Sequence, residues 1–140
     1  MSGGEVRTES STGGQKGVKL ARHDLIPAAP IHELAILFGV GAMKYADDNW
    51  RNGYELSKSI GALKRHLELW VSGQERDEET GVSHLASVMW HCCCLYVLVR
   101  EIEAGNLPAE FDNRHEVDLD EITGLVMSTS TILAENGGAS

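Results

Sequence analysis

The chain has 140 residues, enough for one domain with a core of its own. Its 42% hydrophobic and 24% charged content is that of an ordinary globular domain. The net charge of −9 is unevenly placed: residues 1–100 carry 12 acidic and 11 basic residues, whereas residues 101–140 carry 9 acidic residues and one base, Arg114. This balance disfavours a general nucleic-acid surface. No uninterrupted apolar run approaches 18 residues, and the N-terminus lacks the apolar core of a signal peptide. Neither membrane nor nucleic acid is therefore expected as a partner, and the expected location is the cytoplasm.

Residues 1–17 are rich in Gly, Ser and Thr and poor in apolar side chains, so they read as a disordered arm. The following KLARHDLIPAAP reads as a structured loop, because Pro27 and Pro30 oppose a continuing helix. From Ile31 a helix is expected. Ile31, Leu34, Ala35, Leu37 and Phe38 recur at helical spacing, Pro30 suits the first helical position, and Gly39 and Gly41 either weaken the helix or admit a close neighbour. Met43 to Gly53 then mixes Lys44, Tyr45, Asn49, Trp50 and Arg51. Rings that can stack on a base stand here beside cations and an amide that can meet phosphate, sugar or base edges, although the rings could equally cover the core.

The central stretch, Ile60 to Val99, reads as two helices joined by an acidic loop. In the first, Leu63, Leu67, Trp70 and Val71 form the apolar face, with His66 on its edge and Lys64 and Arg65 beside it. In the second, His84, Ser87 and His91 share a stripe with Val88, Leu95 and Leu98. Ser83 is placed to cap it. Between the two helices lie Glu75, Asp77, Glu78 and Glu79, so imidazoles from two helices and carboxylates from their connection can converge on a divalent metal. The alternative is a loop whose acids merely complement a helix N-terminus. Cys92, Cys93 and Cys94 are adjacent, lack metal-ligand spacing and read as small buried hydrophobes. Gly105, Asn106 and Pro108 stop the second helix, and residues 106–140 form an acidic segment suited to docking or oligomer contact.

These blocks together carry a resemblance. Lys19, Arg22, Asp24, Leu25, Ile26 and Pro27 come first, then Gly41-Ala42, Lys44-Tyr45 and Asn49-Trp50. Arg65-His66-Leu67, Trp70 and Gly73 follow, then Asp77, Thr80-Gly81 and His84-Leu85-Ala86. From about Lys19 to Val99 the order resembles the phage dATP/dGTP diphosphohydrolases, which include the MazZ-type enzymes. The resemblance implies a compact all-α bundle related to MazG-like nucleoside triphosphate pyrophosphohydrolases, spanning residues 18–105. It further implies cleavage of a purine deoxynucleoside triphosphate, dGTP or dATP, between its α and β phosphates, in phage nucleotide metabolism inside an infected host.

Under that reading Mn²⁺ or Mg²⁺ is held by His66, Glu75, Asp77 and His84, and Glu79 orients the attacking water. Lys19, Arg22, Lys44 and Arg65 neutralise phosphate charge, Tyr45, Asn49 and Trp50 meet the base or sugar, and the resemblance adds Asp24 to the substrate-binding set. The chain departs from the family pattern at Gln74, where Glu is frequent, and at Ser87, where a second histidine often stands. Glu75 or His91 is the substitute ligand for that reason, and Glu33 and Glu68 are held in reserve because MazG-type proteins usually rely on helix-borne carboxylates. Two rival readings are a nucleotide-binding protein with a decayed metal site and an acidic helical adaptor working through residues 106–140. Small bundles often complete their cores by association, so a homo-oligomer is expected.

Overall fold

The computed structural model describes residues 6–114 together with Ala134. Strands β1 (Val6–Glu9) and β2 (Gln15–Val18) pair antiparallel, with Val6 opposite Val18 and Glu9 opposite Gln15. The expected disordered arm is thus a hairpin from Val6 onward. Its turn closes through Ser10 N–H to the Gly14 carbonyl at 2.7 Å and uses Gly13 at φ +85°. The backbone is paired although the hairpin has no buried face, a state that sequence apolarity alone does not reveal.

Three helices follow: α1 (Ala28–Lys44), α2 (Leu56–Val71) and α3 (His84–Glu103). Helix α1 starts three residues earlier than expected, with Pro27 as its N-cap, so Pro30 is its third residue. Proline is harmless there because the first-turn amides have no helical acceptor anyway. Gly39 and Gly41 lie inside α1 and have no neighbour that a Cβ would meet, so close approach does not explain them. Helix α3 packs against both α1 and α2. By length and composition α3 alone among the described helices could cross a membrane; the residues it buries are His84, Ala86, Ser87, Cys94 and Leu98.

The buried stripe of α2 is Leu56, Ser59 and His66. This corrects the expected face: Leu67, Trp70 and Val71 are exposed, and His66 lies at the centre of the packed side. Spacings of three and seven residues put this stripe on one line, but two of its members are polar, which hid it from an apolar periodicity. The cysteines also differ from expectation. Only Cys94 is buried, because adjacent residues fan out around the axis and leave Cys92 and Cys93 outside.

Residues 106–114 pack onto the helical domain rather than standing apart from it. Leu107 and Phe111 sit against Gly53, where a Cβ would lie 2.9 Å from Leu107. Asn113 Oδ1 accepts from the Ser57 amide at 3.0 Å, and its Nδ2 donates to Ser57 Oγ at 2.8 Å, satisfying the first turn of α2. The remainder of the acidic segment lies outside the described residues, apart from Ala134. Ile31, Ile36, Val40 and Met43 of α1 are exposed apolar side chains.

Candidate active site

Three elements bring the central groups together. Helix α2 supplies His66, the loop supplies Asp77, and the first residue of α3 supplies His84. One ligand atom of each lies within 4.8 Å of the others. His66 and His84 are buried and Asp77 is half-buried. The loop holds its shape through Asp77 N–H to the Val82 carbonyl at 2.9 Å and Gly81 N–H to the Asp77 carbonyl at 2.7 Å, with Gly81 at φ +73°. The Glu79 amide donates to Asp77 Oδ1 at 3.1 Å, while Oδ2 stands 4.0 Å from His66 Nδ1.

Hydrogen bonding assigns the protons on the two rings. Gln74 Oε1 lies 2.7 Å from His84 Nε2 and, as a carbonyl oxygen, accepts from it. In the tautomer with its proton on Nε2, His84 accepts at Nδ1 from His66 Nδ1 at 2.8 Å. Gln74, which departs from the expected family residue, thus fixes the tautomer of His84. Burial lowers the His66 pKa, helped by the charge of Arg65 and opposed by Asp77. Two imidazoles and a carboxylate form a donor set suited to a borderline divalent ion.

Other expected residues lie elsewhere. Glu75 is not in this group: its Oε1 accepts from Ser83 Oγ and its Oε2 from Trp70 Nε1, both at 2.8 Å. Those two bonds, the Ser83 one foremost, hold its pKa below the usual carboxylate value. Ser83 also caps α3, accepting from the Leu85 amide. Of the reserve ligands, Glu33 is engaged by Arg76 Nη1 at 2.7 Å, which also reaches the Gly81 carbonyl and ties α1 to the loop. Glu68 is exposed. Glu79 accepts from Lys44 Nζ at 3.3 Å. Arg65 is exposed beside His66. Lys19 is exposed, and Arg22 and Asp24 pair with each other through bonds of 2.8 and 2.6 Å; none of the three lines the cavity or joins the metal-ligand group.

Tyr45, Asn49 and Trp50 do share a location. They line a cavity of about 690 Å³ with Phe38, Asp47 and Trp90. Phe38 stands 6.2 Å from Trp50 and 5.9 Å from Trp90 between ring centres. The Trp90 Nε1 donor is buried without a partner among the described residues. Lys44 Nζ, 5.9 Å from the Tyr45 ring centre, links this cavity to Glu79 of the acidic loop.

A second link runs to His91 through Tyr54 and Ser59, which apolar spacing did not single out. Tyr54 lines the cavity and its hydroxyl lies 2.6 Å from Ser59 Oγ, which is 3.0 Å from His91 Nδ1. His91 stacks edge-on against Trp90 at 4.9 Å and its ring centre is 6.1 Å from that of His66. Burial, then the neighbouring His66 and Arg65, pushes the His91 pKa down to about 4. The signal for Ser59 was its place seven residues before His66 on one face of α2.

A family model described as dATP/dGTP diphosphohydrolase, N-terminal, matches residues 10–105. No curated protein matches the chain, and no solved structure does.

Proposed function

The chain belongs to the dATP/dGTP diphosphohydrolase N-terminal family, and from that membership we propose that it hydrolyses a purine deoxynucleoside triphosphate to the monophosphate and pyrophosphate. The observation that carries this reading is the convergence of His66, Asp77 and His84, whose ligand atoms lie within 4.8 Å of one another. A divalent ion bound there, Mn²⁺ in preference to Mg²⁺ given two nitrogen ligands, would neutralise triphosphate oxygens and acidify a water.

The chain's own residues divide the remaining work. The aromatic walls of the cavity receive the base, and Lys44, at the cavity's Tyr45 edge, receives the phosphates. In the free protein Lys44 and Glu79 neutralise each other across 3.3 Å. A triphosphate gives Lys44 a more highly charged partner and releases the Glu79 carboxylate to accept a proton or hydrogen bond from water. Arg65 adds positive charge beside His66. The setting proposed is phage nucleotide metabolism in the host cytoplasm. The exposed apolar side chains of α1 support assembly into a homo-oligomer.

The test is product identification after incubation with dGTP or dATP and Mn²⁺. Monophosphate and pyrophosphate in equal amounts are expected; release of inorganic phosphate, or no turnover with either nucleotide, contradicts the proposal. Asp77→Asn should abolish turnover while the fold is retained.

A further inference from the structure

We propose that Arg76, held by Glu33 of α1, is a positioning residue that sets the Asp77 carboxylate against the two histidines. The inference rests on the reading above in taking His66, Asp77 and His84 as metal ligands, and it gives a role to a pair of charges outside that group.

The connection between α2 and α3 folds back on itself as a short antiparallel pair. The Asp77 amide donates to the Val82 carbonyl and the His84 amide to the Glu75 carbonyl, both at 2.9 Å, with Arg76 opposite Ser83. Successive side chains of such a pair leave on opposite sides. Asp77 accordingly stands beside His66 and His84, whereas Arg76 reaches α1. Its Nη1 donates to Glu33 Oε1 at 2.7 Å and to the Gly81 carbonyl at 3.0 Å, and the Gly81 amide in turn donates to the Asp77 carbonyl at 2.7 Å. One guanidinium nitrogen therefore fixes both the roll of the extended pair about its axis and the turn that closes it. That roll decides where the Asp77 carboxylate points.

The Arg76 side chain is 60% exposed and that of Glu33 27%. An ion pair this open adds little to folding stability. Its effect falls on geometry, because a ligand carboxylate must keep its place to within roughly half an ångström to share an ion with two imidazoles. A second tie from α1 to this loop, Lys44 to Glu79 at 3.3 Å, is the one that an incoming triphosphate would break. Arg76 and Glu33 keep the loop anchored when it does.

Mn²⁺ affinity, read by electron paramagnetic resonance, and amide hydrogen exchange in the metal-free protein test this in Arg76→Gln, Glu33→Gln and the double variant. Each single substitution should weaken Mn²⁺ binding roughly tenfold, and the double variant no further than either, since all three break the same contact. In the metal-free protein each should remove protection from the Asp77 and Gly81 amides, while the melting temperature moves by a few degrees at most. Unchanged affinity, additive losses in the double variant, or unaltered protection of these amides would overturn the proposal. So would tighter Mn²⁺ binding by Arg76→Gln, which would mean that Arg76 withholds Glu33 from the ion. If the unaltered protein binds no Mn²⁺, the metal reading fails by itself, and exchange at Asp77 and Gly81 decides whether Arg76 places the loop.

Discussion

The Nδ1 atoms of His66 and His84 lie 2.8 Å apart, so one ring carries the proton at that nitrogen and the other accepts it. Gln74, accepting from His84 Nε2 at 2.7 Å, decides which. For both nitrogens to face a cation, His66 need only move its proton to Nε2, while His84 already has its own there. The arrangement thus presents one imidazole oriented by a neighbouring amide and one that changes tautomer on binding.

Gln74→Ala removes that orientation without touching a proposed ligand. Mn²⁺ affinity, read by electron paramagnetic resonance, should fall roughly tenfold or more, the usual effect of removing a bond to a ligating histidine. Unchanged affinity would mean that Gln74 does not set the tautomer.

His91 makes stability depend on pH. Its folded pKa, about 4, is depressed from 6.5, so the unfolded chain takes up the proton first as pH falls. Native stability supplied by neutral His91 is complete above pH 6.5 and is lost between 6.5 and about 4. The lowered His66 pKa acts in the same direction. Thermal unfolding followed across this range with a chelator present should show the loss, and His91→Asn, which keeps a donor for Ser59, should flatten it. Equal slopes for the two proteins would contradict the assignment.

The cysteine triplet should separate by reactivity. Cys92 and Cys93 are exposed, whereas burial pushes the Cys94 thiol up to about 12, where almost no thiolate forms near neutral pH. A thiol reagent at pH 8 should modify two cysteines per folded chain and the third only after denaturation. Mass spectrometry identifies the protected residue; modification of Cys94 in the native protein would contradict the packing of α3.

Truncation should distinguish residues 106–114 from the rest of the acidic segment. Ending the chain after Gly105 removes Leu107 and Phe111 from Gly53 and Asn113 from Ser57, at a cost on the order of a few kcal/mol. Ending it after Arg114 keeps all three. Melting temperature should therefore fall by many degrees for the first truncation and little for the second.

The helices and the gathering of His66, Asp77 and His84 were legible because helical spacing places side chains on faces and the acidic connection, residues 72–83, joins two neighbouring helices. The buried face of α2 was not, since Ser59 and His66 are polar and the bonds that satisfy them come from His91, Tyr54 and His84 on other elements. Glu75 looked like a ligand for the converse reason: sequence displays its charge but not the Trp70 and Ser83 donors that engage it. The hairpin was missed because backbone pairing needs no apolar face. Asn113 was missed because its partner, Ser57, is 56 residues away.

The central claim is that His66, Asp77 and His84 grip one divalent ion. Crystals soaked with Mn²⁺ and examined by anomalous scattering at the manganese edge test it most directly. The account predicts one peak within about 2.0–2.3 Å of an imidazole nitrogen from each histidine and a carboxylate oxygen of Asp77. A well-ordered site with no peak among these three residues, or manganese bound only elsewhere, would contradict it.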